Sequence, residues 1–87
     1  MIVKQIREIA HKVLDMDITY LETFQGYKGD TVLKVVMDKK EVRDEVARLA
    51  SKARLSFRAD YELDGKYTGA YNIFIAYEDT SIYQLKG

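Results

Sequence analysis

Cysteine, proline and tryptophan are absent from this chain of 87 residues, and there is one histidine. Without cysteine there is neither a disulfide staple nor a thiolate metal site, and a small domain that forgoes disulfides fits a cytoplasmic setting better than a secreted one. Without proline or a Gly/Ser-rich tract there is no recognisable linker, so residues 1–87 read as one domain. No basic segment followed by an apolar run opens the sequence, and no stretch approaches the roughly 20 apolar residues of a membrane-spanning helix. Neither sign of charge dominates, with 14 bases against 14 acids. A chain of this size buries only roughly 60–65% of its unfolded surface, so its stability margin is narrow.

What the chain does have is a repeat. Ile6, Ile9, Ala10 and Val13 recur forty residues later as Val46, Leu49, Ala50 and Ala53, while Leu33, Val35 and Met37 recur as Ile73, Ile75 and Tyr77. Charge follows the same division. Segments 1–14 and 38–54 each carry a net +2, and segments 15–37 and 55–87 each carry a net −2. The halves are about 1–37 and 38–78, with a tail at 79–87 that has room for one more strand or a helical turn.

Apolar residues at helical spacing predict a helix over 2–14 and another with the stripe Val42, Val46, Leu49, Ala50 and Ala53. The start of the second reads as a capping box, with Asp38 at the cap, Glu41 three positions on, and Met37 and Val42 as a hydrophobic staple. Asp44 is placed to pair with Arg48 one turn later. Between the helices the period becomes two. Ile18, Tyr20 and Phe24 alternate with Thr19, Leu21 and Thr23, and Leu55, Phe57, Ala59, Tyr61 and Leu63 alternate with Ser56, Arg58, Asp60 and Glu62. Turns at 25–29 and 64–69, each with two glycines, join these segments to the more apolar strands 31–37 and 70–77.

The expected fold is therefore α+β: a two-layer sandwich of order αββαββ, with a four-stranded antiparallel sheet and two helices on one face. The strand order is 55–63, 70–77, 31–37, 17–24, with the alternating strands at the edges, where Arg58, Asp60 and Glu62 discourage stray pairing. This is the layout of a circularly permuted ferredoxin-like fold with a pseudo-twofold αββ repeat. Homing endonucleases of the LAGLIDADG type share the element order, but their acidic helix-end motif is missing here and no activity carries over. The rim departs from the repeat, since Thr19, Leu21 and Thr23 on one edge become Arg58, Asp60 and Glu62 on the other.

Catalysis has little to draw on. His11 lies off the apolar stripe with no second histidine or cysteine to complete a metal set, and it leaves little room for a Ser-His triad. Asp15/Asp17 and Glu78/Asp79 sit at segment ends, where acids ordinarily terminate or cap elements. Gly26, Gly29, Gly65 and Gly69 precede strands and lack the strand-to-helix setting of a phosphate loop. The expectation is a protein without enzymatic activity, metal or cofactor, and with no evident small-molecule ligand.

Surfaces are the better prospect. With Leu33, Val35, Ile73 and Ile75 toward the helices, the opposite sheet face is expected to display Leu21, Val32, Lys34, Val36, Arg58 and Phe74, an apolar centre framed by polar groups that suits a protein partner or a homodimer. Tyr20, Tyr61 and Tyr77 are expected on the helix side, at the margins of the core. Tyr27 and Tyr67 sit at hairpin tips beside lysines, where tyrosine supplies contact area at low entropic cost. The first reading is a small interaction module, an inhibitor or regulator of the kind that phages encode against host or defence proteins. The alternative is nucleic-acid binding by the basic helical face of Lys39, Lys40, Arg43, Arg48 and Lys52, against which stand the zero net charge and the single aromatic, Phe74, on the outer sheet face. A third reading is a small-molecule sensor made by dimerising two such sheets, although no residue cluster points to a ligand.

Overall fold

A computed structural model of the chain describes residues 4–26, 29–60 and 71–83. Helix α1 spans Lys4–Val13, strands β1 and β2 span Tyr20–Gln25 and Thr31–Met37, and helix α2 spans Lys40–Lys52. Strands β3 (Ser56–Ala59) and β4 (Tyr71–Ala76) follow, and a short helix α3 spans Asp79–Tyr83. The fold is α+β with one antiparallel sheet of order β1-β2-β4-β3, the expected arrangement of strands. The more apolar strands are central because only there do both faces of a strand find cover. Among the described residues, no helix is long and apolar enough to cross a membrane.

One face of the sheet packs on α1 and α2. Ile6, Ile9 and Val13 from α1 and Val46 and Ala50 from α2 meet Leu33, Val35, Met37, Ile73 and Ile75 in one buried cluster. The forty-residue repeat is thus a repeat of core contacts, with one exception: Met37 is fully buried, whereas Tyr77 is 58% exposed. The physical reason is the end of β4 at Ala76, after which the chain turns into α3 and carries Tyr77 off the core side where it was expected.

The start of α2 corrects the sequence reading. Lys39, with extended backbone (φ −115°, ψ 130°), occupies the cap position and makes no side-chain cap bond. Asp38 lies one residue too early. The Lys39 carbonyl accepts from the amides of Val42 and Arg43, both at 3.2 Å. Met37 and Val42 still meet in the core cluster, although the later cap moves them out of the staple positions.

The end of α2 is a Schellman turn. The Leu55 amide donates to the Ala50 carbonyl and the Arg54 amide to that of Ser51, both at 3.0 Å. The left-handed position that glycine usually fills is held by Arg54 at φ 60°. A side chain there strains the backbone by about 1–2 kcal/mol. Arg54→Gly should therefore raise stability by about 0.5–1 kcal/mol once the entropy of glycine is set against that relief. A urea midpoint that rises with an unchanged slope is the expected result, and an unchanged or lowered midpoint contradicts it.

The hairpin between β1 and β2 closes with the Gly26 amide on the Asp30 carbonyl at 2.7 Å. Gly26 is needed for closeness: an added Cβ would stand 2.5 Å from Asp30 Oδ1 and 3.1 Å from the Ser81 Cβ. Asp60, just past β3, adopts a left-handed backbone (φ 56°), donates its amide to the Asn72 carbonyl at 2.7 Å, and accepts the Asn72 amide at 3.3 Å through Oδ1.

Candidate interaction surface

The sheet face away from α1 and α2 is built by alternation along each strand. The register sets Phe24 opposite Val32, Glu22 opposite Lys34 and Tyr20 opposite Val36, and continues Lys34 to Phe74 and Val36 to Asn72. On the far strand, Arg58 lies opposite Phe74. The expected facing of β1 is therefore reversed. Leu21 and Thr23 lie on the helix side, with Leu21 packed against the main core, while Tyr20 and Phe24 lie on the outer side. A shift of one residue exchanges the faces of a whole strand. β1 carries Leu21 and Phe24 three positions apart, so either facing buries one of them.

The outward option holds because the tail supplies cover. α3 folds over one end of the outer face, and Ile82 is fully buried among Val32, Phe74 and Ala76 with Phe24 packed alongside. The Phe24 and Phe74 rings are stacked with centroids 6.4 Å apart. Ser81 is fully buried and its hydroxyl donates to Asp30 Oδ2 at 2.6 Å, tying α3 to the foot of the first hairpin. Asp30 Oδ1, next to it, is buried without a hydrogen bond among the described residues. Asp79 lies 3.8 Å from the Arg58 guanidinium.

This corrects the expected open patch. Val32 and Phe74 are core residues of a second cluster, Val36 is buried, and Leu21 is on the other side of the sheet. What stays accessible is the other end of the face. Toward that end Tyr20 is 43% exposed, Glu22 is exposed and Lys34 is half-buried, while Arg58, also exposed, stands on the α3 side beside Asp79. The Lys34 ammonium lies 5.9 Å from the Tyr20 ring centre and 5.5 Å from that of Phe74, spanning the strip between them. Tyr27, Glu62 and Tyr67, together with Tyr61 and Leu63, fall outside the described residues. Asp60 is engaged structurally, since it also receives the Arg43 guanidinium.

The basic side of α2 is less free than its composition implies. Lys39 bonds Asp17 at 2.9 Å, and Arg48 pairs with Glu45, not with Asp44 as the helical spacing indicated. Arg43 is held by Asp60 and Asp44 and lies 5.1 Å from the Tyr71 ring centre, its side chain only 14% exposed. Lys40 and Lys52 are exposed. The hydrogen bond that the Lys39 ammonium donates to Asp17, and then the charge of Asp17, hold that ammonium above the usual lysine range. That small stabilisation is present below the unfolded lysine pKa and is lost as pH rises through the folded value.

Between α1 and α2 a groove of about 290 Å³ is floored by Ile9, Leu49 and Ala53 and rimmed by Glu8, Lys12 and Lys52. His11 is exposed on α1. Among the described residues, no three His, Cys, Asp or Glu side chains gather as a metal site.

The fold and this surface define an α+β protein with a four-stranded sheet, two helices on one face, and a short third helix over part of the other. Comparison with family models, with curated proteins and with solved structures finds no match.

Proposed function

We propose that the chain is a non-enzymatic protein-interaction module, acting as an inhibitor or regulator by occupying a partner's surface. The frame of this reading is a circularly permuted ferredoxin-like sandwich with a pseudo-twofold αββ repeat. The matched core positions Ile6/Val46, Leu33/Ile73 and Val35/Ile75, all in one cluster, support that frame. The observation that carries the function is the uncovered strip of the outer face, where exposed Tyr20 and the Lys34 ammonium lie together on a rigid sheet. An exposed tyrosine is a residue type enriched at interface hot spots, and the ammonium beside it supplies charge complementarity to an acidic partner surface. A phage-encoded inhibitor of a host or defence protein is one form such a module takes at this size.

The test reverses the charge at the centre of the strip. Lys34→Glu should weaken binding of the captured partner by about tenfold or more, as truncating a hot-spot residue does. The measurement is affinity capture from cell lysate with wild-type and variant baits, followed by titration of the captured protein. Because Lys34 is only half-buried, the variant should keep its circular dichroism, with a modestly lowered melting temperature because the new carboxylate lies opposite Glu22. Equal capture by a folded Lys34→Glu protein removes this strip as the binding surface.

A further inference from the structure

We propose that the free edge of β1 is the seat of a symmetric dimer, in which a second copy of this chain adds its own β1 antiparallel with Thr23 on the twofold axis. The proposal deepens the interaction reading by giving the edge a stated occupant, and it shares Tyr20 with the strip but makes no use of Lys34.

The two edges of the sheet differ. β3 is four residues long, carries Arg58, and runs into the left-handed Asp60, all features that blunt an edge. β1 is six residues long in regular register with β2, with no proline, no base and a single acid, Glu22. Among the described residues, no strand lies on its outer side. The Gly26 amide bonds the Asp30 carbonyl, so the amides and carbonyls of residues 24, 22 and 20 point toward β2. Those of Leu21, Thr23 and Gln25 then point outward.

Self-pairing must match outward groups with outward groups, which leaves few registers. Setting Leu21 against Thr23 of the second copy brings the two Glu22 carboxylates directly opposite, and like charges there repel. Setting Thr23 against Gln25 shortens the overlap. With Thr23 against Thr23, Leu21 faces Gln25, and the pair forms about six backbone hydrogen bonds. Each Glu22 then faces Phe24 of the other copy. On the same face, Tyr20 and Phe24 of one copy lie diagonal to Phe24 and Tyr20 of the other, within reach of aromatic side chains. The strand thus supplies its own apolar complement, which favours a second copy over a foreign strand. A perpendicular twofold also keeps α1 and α2 of both copies on one side, leaving the two Lys34 strips side by side on the other.

The absence of cysteine makes the test clean. Sedimentation of the full-length protein from micromolar to millimolar concentration should show a monomer–dimer equilibrium. Thr23→Lys, at an exposed position, should raise the dissociation constant by at least about tenfold with unchanged circular dichroism. Thr23→Cys should oxidise to a covalent dimer, because directly opposed residues in such a pair lie about 5.5 Å apart at Cα, within disulfide range, whereas Glu22→Cys should cross-link far less. A wild-type protein that stays monomeric throughout overturns the proposal, as does a folded Thr23→Lys dimer of wild-type affinity. Cross-linking that is stronger at position 22 than at 23 also overturns it and needs no variant with an added charge. A monomer that accepts a strand only from another protein counts against it too. Lys34→Glu leaves the edge untouched, so failure of the strip and failure of the edge are read separately.

Discussion

Phe74→Ala should destabilise the protein by about 3–5 kcal/mol, the loss expected when a fully buried aromatic is cut to a methyl group. Phe74 is 1% exposed and central to the smaller core, in contact with Val32, Ala76, Ile82 and Phe24. It also supports the Lys34 ammonium. A chain of this length has roughly 5–10 kcal/mol of total stability, so the variant forfeits a large part of it. Phe57→Ala, at 36% exposure on the short edge strand β3, should lose less than half as much. Denaturant titrations with matched slopes separate the two. Comparable small losses at both positions would mean that the outer face is not a packed core.

The element order was legible because the period of apolar residues changes from 3.6 to two at each helix–strand junction. The strand order was legible because β2 and β4 are apolar on both faces and the other two are not. The start of α2 was not. Asp-Lys-Lys-Glu satisfies a capping box by spelling, but the helix begins one residue later, where the Lys39 carbonyl takes two amides and the Lys39 side chain turns to Asp17. The ion pairs of α2 went astray for a related reason. Helical spacing lets Arg48 reach either Asp44 or Glu45, and the left-handed Asp60, far along the chain, captures Arg43.

The surface was legible only as a composition. Val32, Val36 and Phe74 do share a face with Lys34 and Arg58, as alternation required. The burial of Val32 and Phe74 depends on Ile82, fifty residues beyond Val32, in a tail whose local pattern fits a strand or a helical turn equally. The facing of β1 depends on the same residue, because Phe24 can point outward only where α3 provides a neighbour. A single long-range contact therefore decided two expectations at once, and no period within β1 or the tail encodes it. Ser81 and Gly26 left a fainter signal, a glycine and a small hydroxyl that take on meaning only when a Cβ added at Gly26 is seen to stand 3.1 Å from the Ser81 Cβ.

Ile82→Ala should lower stability by about 2–5 kcal/mol, and Ile82→Asp should lift α3 from the sheet altogether, because an unpaired carboxylate does not remain in an apolar site. Ile82 is fully buried, yet α3 is only five residues long and has little helical stability of its own. Its other attachments are modest. The Ser81–Asp30 bond is offset by Asp30 Oδ1, which has no hydrogen bond among the described residues, and the Arg58–Asp79 pair is solvent-exposed. Ile82 thus holds the helix in place, and losing it exposes Val32, Phe74 and Ala76 as one apolar patch. The aspartate variant should bind a hydrophobic dye and self-associate with rising concentration while its far-ultraviolet circular dichroism stays near that of the wild type, since the main core of α1, α2 and the sheet is separate. Adding Thr23→Lys should not suppress this association, because the newly exposed patch lies on the sheet face and not along the β1 edge. A folded Ile82→Asp protein with no dye binding and wild-type stability would show that α3 does not cover the outer face in solution.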